Sequence, residues 1–82
     1  MVQKNEQEIF VEIKEYYKHL AETYERELKR RQAAKIYEKV MRMKISVGER
    51  DEVKQKLMTL YEKLGRIKEY YALKEGREKF LG

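Results

Sequence analysis

The sequence predicts an all-α fold of three to four antiparallel amphipathic helices, packed as a bundle of helical hairpins. Three observations carry that prediction. The 82 residues include no Pro and only four Gly, too little turn chemistry for a sandwich or barrel. Apolar side chains recur at three- and four-residue spacing along most of the chain, the period of one helix face. Charged residues make up 43%, but 20 basic side chains face 15 acidic ones. A mean hydropathy of −0.95 is therefore not joined by the high net charge of a disordered chain. At this length the expectation is one small domain over residues 1–82.

The first helix is expected over about 5–28. Asn5 stands where its side chain can accept from free first-turn amides, with Glu8 reaching back. Ile9, Phe10, Ile13, Tyr16, Tyr17, Leu20 and Tyr24 then form one apolar stripe. Ala33, Ile36, Tyr37, Val40 and Met43 form a second, predicting a helix over about 31–46. At helical pitch the two stripes point about 180° apart, so the chain is expected to break near residues 28–32 and fold back. Gly48 reads as the end of the second helix, with Ser46 and Glu49, or Asp51, capping the next. Val53, Leu57, Leu60, Leu64, Ile67 and Tyr71 alternate spacings of four and three, a heptad seam. That seam runs through Gly65 in phase and predicts a third helix over about 50–79, with room for a bend at Gly65.

Shifting the chain by 37 residues aligns Leu20-Ala21-Glu22-Thr23-Tyr24-Glu25-Arg26 with Leu57-Met58-Thr59-Leu60-Tyr61-Glu62-Lys63. Self-similarity at this period marks helical-hairpin repeats. These residues resemble a tetratricopeptide repeat over about 17–71: Leu20, Tyr24 and Leu28 its first helix, Ala33, Tyr37 and Val40 its second, and Leu57, Tyr61 and Gly65 the start of another. The period exceeds the usual ~34. Tyr70 and Lys74 stand where the second unit would carry a small residue and an aromatic. The resemblance implies a protein-binding module, and two units are few for such a fold to stand alone. A thin core points the same way, to a protein partner or self-association as a dimer or subunit of a complex.

Catalysis has little to draw on. One His, one Asp, one Ser and no Cys leave no triad and no thiol nucleophile, and no cofactor is implied. Glu15, His19 and Glu22 share a helical face but read as a surface His beside acids. No apolar run approaches the ~20 residues of a membrane span, so the expectation is a cytoplasmic protein without membrane contact. High Lys, Glu and Arg content resembles a thermophile's composition.

Two surfaces are candidates. Residues 29–44 carry seven basic side chains against Glu38 alone, +6 in a chain whose net charge is +5. Within that segment Arg31, Lys35, Lys39 and Arg42 share an arc opposite the apolar stripe, a face suited to nucleic acid or an acidic partner. Tyr70, Leu73, Phe80 and Leu81 lie off the heptad seam and form the candidate partner-binding patch. The leading expectation is a non-enzymatic interaction or adaptor module, binding a partner helix or peptide through a helical groove or this C-terminal patch. The alternative is a nucleic-acid-associated accessory protein using the 31–42 face.

Overall fold

Asn5 does cap the first helix: its Oδ1 accepts from the Glu8 amide at 2.8 Å. In the computed structural model, which describes residues 5–77, helix α1 then runs Glu6–Arg26. Three more helices follow among the described residues: α2 at Arg30–Met41, α3 at Val47–Lys63 and α4 at Ile67–Lys74. No helix among these residues is long and apolar enough to cross a membrane.

The fold-back expected near residues 28–32 is present, made by a tight helix-terminating turn. Leu28 adopts φ +60°, its amide donates to the Glu25 carbonyl, and the Lys29 amide donates to Tyr24 at 2.8 Å. This is the paired 5→2 and 6→1 pattern that closes a helix on a left-handed residue. The same turn recurs 37 residues on. Gly65 takes φ +72°, its amide reaching Glu62 and that of Arg66 reaching Tyr61 at 2.8 Å. The residues that open α2 and α4, Lys29 and Arg66, have nearly identical backbones, φ −89° ψ 70° and φ −88° ψ 73°. The internal repeat is thus structural as well as sequential.

Gly65 is a full break, not a bend in one long helix. The heptad seam keeps its spacing across the turn, but the chain reverses direction, so the face it marks no longer points inward. Ile67 and Tyr71, on the seam, are exposed, while Leu73, off it, is fully buried. Gly48 is likewise not a helix end. The second helix stops at Met41, and Gly48 lies in the first turn of α3. Ser46 caps α3, its Oγ accepting from the Glu49 amide at 3.2 Å.

The core runs along the helix interfaces. Ala21 from α1, Ala33, Ala34, Tyr37, Val40 and Met41 from α2, Val53, Leu57, Leu60 and Tyr61 from α3, and Leu73 from α4 are buried. Small residues at 21 and 33 suit a close approach of α1 and α2. Only consecutive helices bring Cα atoms within 8 Å of each other, and the described chain extends 48 × 29 × 18 Å. This is a row of helices, each supported by its neighbours in sequence.

Candidate partner-binding edges

The α1–α2 and α2–α3 junctions each carry a tyrosine that donates to a carboxylate. The Tyr37 hydroxyl of α2 donates to Glu25 of α1. The Tyr61 hydroxyl of α3 donates to Glu38 of α2 at 2.6 Å. Burial pushes both phenols well above their ordinary range, and the hydrogen-bonded carboxylates raise them further. They act as neutral donors that fix the rotation of one helix against the next. Arg50 adds to the α2–α3 junction by donating to the Met41 carbonyl at 3.1 Å, satisfying the C-terminal end of α2.

Ion pairs link α1 to α3. Lys14 pairs with Glu49 at 2.9 Å and Lys56 with Glu22 at 3.9 Å. At 100° per residue, Lys14, Lys18 and Glu22 occupy the flank of α1 that faces α3, and Ile9, Ile13 and Tyr16 lie about 170° away. Those three side chains are exposed, Tyr16 to 63%. At the other end of the row, Ile67, Lys68, Tyr71, Ala72, Glu75 and Arg77 line a cleft of about 660 Å³ on α4. Ile67 and Tyr71 are 53% and 48% exposed there. Both ends of the helix row therefore present apolar surface, which a well-buried protein of this size does not normally leave open.

The residues singled out from sequence fall differently. Leu73 is core at 0% exposure and offers no surface to a partner, because the reversal at Gly65 turns its side of α4 inward. Tyr70 is half-buried against the core and meets Tyr71 edge-on at 5.2 Å. Phe80 and Leu81 lie outside the described residues. Nothing in the sequence separates Ile9, Ile13 and Tyr16 from the stripe they share with Tyr17, Leu20 and Tyr24.

The basic face divides. Arg31 and Lys35 converge with Arg66 from the α3–α4 turn on a cleft of about 380 Å³ that also holds Glu38 and Leu64. Lys39 instead lies 5.7 Å from the ring centre of Tyr17 on α1, and Arg42 is exposed at the end of α2. No three His, Asp or Glu side chains gather in a metal-holding group among the described residues. Scans against protein-family profiles, curated proteins and solved structures find no match to this chain.

Proposed function

We propose that this chain is a non-enzymatic protein-interaction module that receives amphipathic helices on its open edges, in a tetratricopeptide-like arrangement. The observation that carries this reading is the exposed apolar ridge of Ile9, Ile13 and Tyr16 at one end of the helix row. An i, i+4, i+7 ridge is what one helix offers another in groove docking. The recurrence of the hairpin turn at 37 residues supports the repeat-like reading, since each helix of such a row is built to be covered by the next.

The test is selection from a displayed library of amphipathic helical peptides. Wild type should enrich binders with dissociation constants of about 1–100 μM. Tyr16→Lys should remove those that dock on α1 and Tyr71→Lys those that dock on α4, with helicity unchanged. A selection that enriches nothing, or binders indifferent to both substitutions, overturns the reading.

A nucleic-acid role draws on one observation, the convergence of Arg31, Lys35 and Arg66 on a single cleft. It requires duplex binding with a log–log salt slope of about −2.7, for three phosphates neutralised. Glu38 within that cleft opposes it, and no binding at low salt ends it.

A further inference from the structure

We propose that the chain stacks head to tail on copies of itself, the open α1 edge of one copy seating on the open α4 edge of the next as α3 seats on α2 within the chain. The proposal rests on the reading of the two edges as helix-docking surfaces and names their occupant.

The argument is positional. Within the chain, Arg50, Lys56 and Tyr61 of α3 and Leu64 at its C-terminal cap reach α2: to the Met41 carbonyl, the Tyr37 ring, Glu38 and the Arg31–Lys35 cleft. At helical pitch these four bracket an arc with Val53, Leu57 and Leu60 at its centre, all buried. That arc is the surface α3 turns to α2. Moved back by the 37-residue repeat, Val53 becomes Tyr16, Leu57 becomes Leu20, Leu60 becomes Thr23 and Arg50 becomes Ile13. Tyr16 and Ile13 are exposed and Leu20 is half-buried. α1 therefore carries the counterpart of a surface that α3 buries, and no helix among the described residues covers it.

The receiving side repeats too. Arg31, Ala34, Lys35 and Glu38 of α2 become Lys68, Tyr71 and Ala72 of α4 and Glu75 at its C-terminal cap. All four counterparts line the 660 Å³ cleft. Ala34 is fully buried, whereas Tyr71 is half open. The tyrosine–carboxylate bond transfers as a pair: Tyr61 and Glu38 correspond to Tyr24 and Glu75. In the stack, Tyr24 of one copy donates to Glu75 of the copy before it.

Charge fits the same pairing. α1 holds six acidic side chains against three basic, −3, while residues 66–77 hold four basic against two acidic, +2. Like edges repel and unlike edges attract, which favours a heterologous contact over a two-fold one. A heterologous contact that does not close on itself gives open assemblies.

Sedimentation of the full chain tests this. Average mass should climb steadily with concentration up to about 1 mM. Tyr16→Lys and Tyr71→Lys, each at an exposed position, should each weaken association at least about tenfold. An equimolar mixture of the two variants should form a 1:1 dimer that grows no further, since each keeps one intact edge. Tyr24→Phe and Glu75→Gln should each weaken assembly about 3–10-fold, and together no more than either alone.

A wild-type chain that stays monomeric overturns the proposal. If that monomer still binds displayed helices, the edges dock helices but not copies of this chain. If it associates only after residues 78–82 are removed, the occupant is its own C-terminal segment. A variant that dimerises alone shows two-fold pairing of like edges, and a mixture that stays monomeric denies the head-to-tail contact; either result overturns it.

Discussion

Leu28 and Gly65 occupy the same place in the same turn, and only one of them suits it. A left-handed backbone costs an L residue with a Cβ roughly 1–2 kcal/mol that Gly avoids. Leu28 is 69% exposed, so its side chain returns little packing for that cost. Leu28→Gly should therefore stabilise the chain by about 0.5–1 kcal/mol, the gain being reduced by the greater freedom of Gly in the unfolded state. Gly65→Ala should destabilise it by about 1 kcal/mol. A Cβ at position 65 meets nothing within 4 Å, so this loss belongs to the backbone alone. Urea unfolding midpoints measure both, and shifts of the same sign would refute the equivalence of the two turns.

At the scale of elements, α1 and α3 are tied across α2 by ion pairs, chief among them Lys14 with Glu49. The Lys14 hydrogen bond holds the Glu49 carboxyl below its usual range, against the opposing pull of burial. A carboxyl lowered in the folded state stabilises fully above its unfolded value, near 4.3, and loses that contribution as pH falls through the folded value. Thermal melts should therefore show acid destabilisation beginning below about pH 4.5. Lys14→Met should flatten that part of the profile and cost about 0.5–1 kcal/mol at neutral pH. Parallel pH profiles for the two proteins would remove the pair from any role in holding α1. The elements themselves were legible to different degrees, for a physical reason in each case. The break at residue 28 is readable because the stripes on either side point in opposite directions, although Leu28 itself carries no turn signal. The break at Gly65 is hidden by coincidence: Leu64, Ile67 and Tyr71 continue a four-and-three spacing across a turn that reverses the chain. That reversal moved Leu73 from the expected surface into the core and Tyr71 from the expected core to the surface. The 37-residue alignment, extended through the turn, decides only part of it: it pairs Leu73 with the half-buried Ile36 and Tyr70 with the buried Ala33, but it also pairs the exposed Tyr71 with the buried Ala34.

For the whole molecule, the consequence of a helix row is that stability is graded rather than uniform. Cα atoms approach within 8 Å only between consecutive helices, so α2 and α3 are each supported on two sides and α1 and α4 on one. In such a quasi-one-dimensional arrangement the ends open without the middle, because opening an end breaks one interface and opening the middle breaks two. α4 is also the shortest element at eight residues, below the length at which a helix sustains itself in water. Leu73 is its one fully buried side chain. Native-state hydrogen exchange should accordingly find the slowest amides in Ala33–Val40 and Val53–Tyr61, with Ile67–Lys74 exchanging first. The N-terminal half of α1, where Ile9, Ile13 and Tyr16 lie open, should exchange ahead of Ala21. The difference between α4 and the α2–α3 centre should reach at least about tenfold in protection, the equivalent of ~1.4 kcal/mol. Exchange of all four helices with one common opening energy would mean that the chain unfolds as a single unit and that its ends are not independent. Measured at rising protein concentration, the same experiment separates an end that frays from one that is covered. If copies stack, protection of α1 and α4 increases with concentration while that of α2 and α3 changes least, because binding stabilises the elements it covers.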